Sequence, residues 1–112
     1  YDEAGLTQKA QQYRDWVRSH RMKNPYYRYY LARDAVAEGD YRAAISHLNY
    51  AIRQRDNESR FYSLLSVSYL MSGEKEAAER WMKKAEDVAV QEADRQKYHH
   101  KLEWLMSQGS RR

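Results

Sequence analysis

YYRYYLARDAVAEGDYRAAISHLNYAI, residues 26–52, is answered 34 positions later by RFYSLLSVSYLMSGEKEAAERWMKKAE, residues 60–86. Leu31-Ala32, Gly39-Asp40, Ala44, Leu48 and Ala51 recur as Leu65-Ser66, Gly73-Glu74, Ala78, Met82 and Ala85. A fixed period of this length is the mark of stacked helical hairpins, each burying its apolar face against the next.

Working outward, each half of the echo divides into two helices. Asn24-Pro25 reads as a start, with Asn as the cap and Pro at the first helical position, where its missing N–H costs nothing. A helix from about Pro25 to Glu38 ends at Gly39, and Asp40 is placed to cap the next one. That helix carries Tyr41, Ala44, Ile45, Leu48 and Ile52, an apolar stripe of helical period. Asp56 or Asn57 punctuates it. The helix from about Glu58 to Ser72 carries Phe61, Tyr62, Leu65, Tyr69 and Leu70, and Gly73 closes it. The next carries Ala78, Trp81, Met82, Ala85 and Ala89. Ala32, Ser66, Ala44 and Ala78 fall where two helices approach closely; a larger side chain there overpacks at about 1–3 kcal/mol. Leu31, Leu65, Leu48 and Met82 are the expected fillers between hairpins.

Two flanking helices complete the chain. Leu6, Ala10, Tyr13 and Val17 fall at helical spacing beside Trp16, with Arg14, Arg18 and Arg21 on the opposite side. From about Glu92 to Ser107 a last helix carries Tyr98, Leu102, Leu105 and Met106, and Gly109-Ser110-Arg111-Arg112 reads as a frayed tail. No strand pattern competes.

Composition bounds the function. The 112 residues suffice for one domain of five or six helices. Mean hydropathy is −1.10, and no apolar run nears the roughly 18 residues that span a bilayer. Cysteine is absent, which removes disulfides and thiolate chemistry and leaves the compartment open between cytoplasm and bacterial envelope. The start at Tyr1 rather than Met points to a processed protein or an excerpt of a longer one. The net charge of +4 is uneven: between Lys9 and Arg33, seven basic residues face only Asp15. Five of the eleven tyrosines, Tyr13, Tyr26, Tyr27, Tyr29 and Tyr30, lie in or beside that stretch.

Catalytic signatures are missing. There is no Gly-rich phosphate loop, nucleophile elbow or cysteine. His99 and His100 are adjacent, so on a helix they diverge. His99 with Glu103 has ligand spacing, but two groups alone make no metal site. No cofactor is expected.

The doubled pattern resembles the tetratricopeptide repeat family. Arg28-x2-Leu31-Ala32-x2-Ala35 and Ala44-x3-Leu48-x2-Ala51 follow the family's two-helix signature, as do Tyr62-x2-Leu65-Ser66-x2-Tyr69 and Ala78-x3-Met82-x2-Ala85. Arg28 departs from the usual aromatic, and Asp56 and Val90 replace the closing proline. Gly5, Ala10 and Val17 sit near the spacing of the second half of an earlier repeat. The resemblance implies an all-α, right-handed stack of antiparallel helical hairpins, a TPR-like α-solenoid in one domain. Residues 1–24 would form an N-terminal helix, 25–58 and 59–92 the two repeats, and 93–112 a capping helix and tail.

The resemblance also implies a non-catalytic scaffold or adaptor. Its concave groove, holding a peptide or partner helix, would be lined by Tyr26, Tyr29, Tyr30 and Arg33 from the first repeat and Arg60, Ser63, Val67 and Leu70 from the second. Tyrosine and arginine are common interface anchors, and arginine reads carboxylates, so an acidic partner suits the groove. A bland alternative has Tyr26, Tyr27, Tyr29 and Tyr30 merely covering the N-terminal helix. The Lys/Asn clamp that some family members use on a terminal carboxylate is not reproduced, since Tyr29, Arg33, Ser63 and Val67 stand there. Two rival functions remain. The basic face of Arg14, Arg18 and Arg21 would bind nucleic acid or an anionic surface, although no recognised nucleic-acid module is present. Alternatively, the N-terminal helix would dock on a second copy to make a homo-oligomer.

Overall fold

The computed structural model describes residues 3–109, and all regular structure among them is helical. Six helices follow one another: α1 (Glu3–Met22), α2 (Pro25–Ala37), α3 (Tyr41–Gln54), α4 (Ser59–Met71), α5 (Lys75–Val88) and α6 (Glu92–Gly109). Residues Ser110, Arg111 and Arg112 of the expected tail lie outside the described residues, as does the side chain of Leu6.

Local chemistry sets the boundaries. The Asn24 side chain accepts from the Tyr26 N–H at 2.9 Å, with Pro25 opening α2. Asp40 caps α3 by accepting from the Ala43 N–H at 3.1 Å. Glu58 caps α4 through the Arg60 N–H. Gly39 and Gly73, with φ of 82° and 90°, turn the chain at the ends of α2 and α4. At each turn the residue after the glycine donates its N–H back into the helix, Asp40 to the Ala35 carbonyl and Glu74 to that of Tyr69. The left-handed backbone is what makes this closure possible, and glycine adopts it without a Cβ penalty.

Each helix packs chiefly on its sequence neighbours, as a linear array requires. Two core clusters result. Ala32, Ala35, Ala44, Leu48, Ala51, Phe61 and Leu65 form the first, between α2/α3 and α4. Tyr62, Ala78, Met82, Ala85, Ala89, Tyr98 and Leu105 form the second, between α4, α5 and α6. The four predicted close-approach positions, Ala32, Ala44, Ser66 and Ala78, are all buried. Ser66 can stand where Ala32 stands in the first repeat because its hydroxyl donates to the Ala78 carbonyl at 2.5 Å, so that buried hydroxyl is not left unpaired. α2 and α4 also touch one another across the array, so these two helices share one side of it.

Three sequence expectations are corrected. Leu48, Leu65 and Met82 fill gaps between hairpins, but Leu31 is only half-buried and belongs to neither cluster. It faces the end of the array, where no further hairpin presses on it. Met106 falls outside the buried stripe of α6 and is 57% exposed. The helix α1 runs unbroken through Gly5, without the turn made at Gly39 and Gly73. α1 packs chiefly on α2 among the described residues, with Tyr13 and Trp16 exposed and Val17 half-buried. The stripe residues Tyr13 and Trp16 are left open to solvent by the described residues. With α1 extending the array, the molecule measures 68 × 30 × 19 Å.

Candidate functional site

The side of the array shared by α2 and α4 carries a stripe of aromatic and cationic groups built on Phe61. Phe61 is fully buried, and the Tyr26 and Tyr29 rings each lie 5.5 Å from its ring. Spacing of three along α2 puts both tyrosines on the face turned to α4. Arg60, next to Phe61 on α4, reaches over both: its guanidinium stands 5.7 Å from the Tyr26 ring and 5.8 Å from that of Tyr29. Tyr29 contacts Tyr30 at 5.7 Å, and Arg33, one turn on, lies 6.0 Å from the Tyr30 ring. Tyr26, Tyr29, Tyr30, Arg33 and Arg60 therefore form one connected network. Of the four tyrosines clustered in sequence, Tyr27 lines a depression shared with α1, while Tyr26 and Tyr29 pack on Phe61.

Electrostatics tie the network together. Glu58 accepts from Arg60 Nε at 3.0 Å and Nη2 at 3.3 Å, and from the Tyr26 hydroxyl at 3.3 Å. The Arg60 hydrogen bond holds the Glu58 carboxyl below its usual range, against its partial burial. Burial raises the Tyr29 phenol above its ordinary value, opposed by Arg33 and Arg60, so at neutral pH it is an uncharged hydrogen-bonding group. Arg33 forms no ion pair among the described residues. The face carries more positive than negative charge.

Ser63, Val67 and Leu70 are half-buried and continue along α4. Val67 and Leu70 separate from the tyrosine network and instead line an apolar cleft with Met82 of α5 and Lys101, Trp104 and Leu105 of α6. α6 thus lies beside α4: Tyr98 is buried, its hydroxyl 3.4 Å from Ser59 Oγ, and Lys97 and Lys101 lie 5.1 and 6.0 Å from its ring. Sequence reasoning missed these α6 residues. α6 does not continue the 34-residue phase, in which His99 would take the place of Leu65, so no groove position could be carried onto it. The available signal was Trp104, an aromatic off the apolar stripe.

The basic residues Arg14, Arg18 and Arg21 do lie together. With Tyr13, Val17 and Tyr27 they line an open depression of about 480 Å³ between α1 and α2. On the far side of the molecule His99 sits between two carboxylates, Glu86 Oε1 at 3.1 Å and Glu103 Oε1 at 2.9 Å, tying α6 to α5. Among the described residues no three His, Cys, Asp or Glu side chains are grouped to hold a metal ion.

A tetratricopeptide repeat model matches residues 35–101, well over half of the chain. The chain belongs to the tetratricopeptide repeat family. No individual curated protein matches it. That membership makes the domain a helical-repeat module of the kind that mediates protein interactions. No helix among the described residues is long and apolar enough to cross a membrane.

Proposed function

We propose that the inner face of α2, α4 and α6 binds an acidic peptide segment of a protein partner, making the chain an adaptor or scaffold element. The observation that carries this is the connected Tyr26–Tyr29–Tyr30–Arg33–Arg60 network, in which Glu58 pairs with Arg60 while Arg33 stands over Tyr30 without an ion pair among the described residues. Aromatic rings already packed by Phe61 give contact area without a large ordering cost, and arginine offers paired donors to carboxylates. The groove residues are Tyr26, Tyr29, Tyr30, Arg33, Arg60, Ser63, Val67 and Leu70.

Three helices side by side span about 20–30 Å, which about ten extended residues cross. Selection from a random library of displayed peptides of about that length tests the reading. Enriched peptides are expected to be rich in Asp and Glu. Their affinity should fall at least about tenfold in Tyr30→Ala/Arg33→Ala and stay within about twofold in Arg14→Glu/Arg18→Glu. Tyr30 is chosen because it is 52% exposed, whereas Tyr29 supports Phe61.

A second reading is favoured by α1, whose exposed Tyr13 and Trp16 stack at 6.3 Å beside Arg18 and Arg21, neither ion-paired among the described residues. Basic and aromatic groups on an arm suit single-stranded nucleic acid. That reading expects the opposite ranking of the two double variants on a single-stranded oligonucleotide, with affinity falling steeply in salt.

A further inference from the structure

We infer that the cleft between α4 and α6 is an anchor pocket for one bulky apolar side chain, phenylalanine or leucine, of an acidic peptide segment. The inference rests on the groove reading above and adds to it a specificity determinant.

The cleft encloses about 180 Å³. An apolar cavity of about 150 Å³ accepts a benzene ring, so a phenylalanine side chain fits. Its walls are Val67 and Leu70 of α4, Met82 of α5, and Trp104 and Leu105 of α6. The floor is polar only at Ser66, whose hydroxyl is already committed to the Ala78 carbonyl, so an apolar guest strands no donor. Trp104 is 55% exposed although it borders the second core. It is a large flat ring with one side against apolar groups and the other open, the kind of group that anchors partners.

What chooses the occupant is charge. Lys101 lines the cleft and forms no ion pair among the described residues. Arg33 and Arg60 stand over Tyr30 and Tyr29, and α6 meets α4 beside Arg60, where the Tyr98 hydroxyl lies 3.4 Å from Ser59 Oγ. An apolar slot with a cation at its edge and further cations along the groove complements a chain in which carboxylates flank one large apolar residue. A basic or polar segment finds neither neutralisation nor a guest for the slot.

The test uses the library-selected peptides on the full chain. The selected set should share one Phe or Leu among acidic residues, and changing that residue to Ala should weaken binding at least about tenfold. Val67→Phe fills the slot from within and should shrink the Phe-to-Ala difference to within about twofold. Trp104→Ala, at an exposed position, should shrink it as well, with circular dichroism unchanged for both variants. Lys101→Glu should weaken acidic peptides regardless of the anchor. Acidic peptides that lose affinity in Tyr30→Ala/Arg33→Ala but show no anchor preference would overturn the pocket and leave the groove standing. A library that yields no binder overturns both. A chain that doubles its mass in light scattering, and returns to a monomer in Val67→Phe, puts a second copy in the cleft and overturns the peptide assignment.

Discussion

The two hairpins share one pattern and live in different surroundings. In the second, Tyr62 stacks on Trp81 with centroids 5.8 Å apart and planes 12° apart, and its hydroxyl donates to the Asp56 carbonyl at 2.6 Å. Thirty-four residues earlier the same two positions are Arg28 and His47. Arg28 lies over Tyr50 at 4.3 Å, and Arg28 Nε and His47 Nδ1 are buried with no hydrogen-bond partner. Leu65 is fully buried and Leu31 is not. The second hairpin is bordered by α3 on one side and α6 on the other, while the first has only α1 beyond it. A repeat position therefore states a geometry. Its energetic worth depends on whether a neighbour presses on it.

The widest gap is expected at the paired leucines. Leu65→Ala removes a side chain from a closed core and should cost about 2–5 kcal/mol. Leu31→Ala, at the open end, should cost about 1 kcal/mol, the loss of partly buried area alone. Urea unfolding of both variants measures the difference. Equal losses would mean that α1 closes the first hairpin as fully as α3 closes the second.

The aromatic step comes next. Trp81→Ala should cost about 2–4 kcal/mol, since it removes the stacked partner of a buried tyrosine as well as its own apolar area. His47→Ala should change stability by less than about 1 kcal/mol, because it also removes a buried nitrogen with no partner. Should His47→Ala prove the more damaging, the first hairpin would be held by a polar network absent from the described contacts.

These contrasts also mark what the sequence could disclose. Gly39 and Gly73, Asn24 and Asp40, and the small residues at 32, 44, 66 and 78 are dictated by backbone conformation and close approach. Such constraints act locally and leave a residue-type signature, so the hairpins were legible. Periodicity also identified the apolar face of α1. It could not say whether anything covers that face, because the covering element is not encoded in the spacing. Leu31 and Met106 failed as buried positions for the same reason. At the candidate site, repeat phase pointed to Tyr26, Tyr29 and Arg60, which meet around Phe61, while Val67 and Leu70 line a separate cleft. The phase was silent on the Glu58–Arg60 pair, since an ion pair two residues apart has no periodic mark. It was equally silent on Lys101 and Trp104, since α6 leaves the phase.

A pH titration separates the hairpins without removing a contact. Burial, and then the neighbouring Arg28 charge, lower the His47 pKa below its ordinary value. In the unfolded chain the imidazole takes its proton at about pH 6.5, while in the folded one it resists until lower pH. The unfolded state thus binds more protons in that window, and stability falls as pH drops from about 6.5 through the lowered folded value. Trp81 has no such term, so the loss belongs to the first hairpin. Thermal midpoints at pH 7 and pH 5 should differ by less in His47→Phe than in the parent chain. Because the chain holds three further histidines, the comparison between chains isolates His47. An identical shift in both would break the assignment.

The smallest effect is expected at Glu58, where the two hairpins meet on the side shared by α2 and α4. Its carboxylate caps α4, pairs with Arg60 and receives the Tyr26 hydroxyl. The Arg60 hydrogen bond holds its pKa below the usual carboxylate value. Its contribution is therefore complete above about pH 4.3 and is lost as pH falls through the lowered folded value. Arg60 is half-exposed, so the pair is worth no more than about 1 kcal/mol. Glu58→Gln should lower the midpoint at pH 7 only slightly and flatten its decline between pH 5 and pH 3. The larger consequence falls on the groove. Without the carboxylate, Arg60 is released to an incoming acidic group, so Glu58→Gln should bind acidic peptides more tightly than the parent chain while folding a little less stably. Weaker peptide binding in Glu58→Gln would mean that Glu58 positions Arg60 for the partner instead of competing with it.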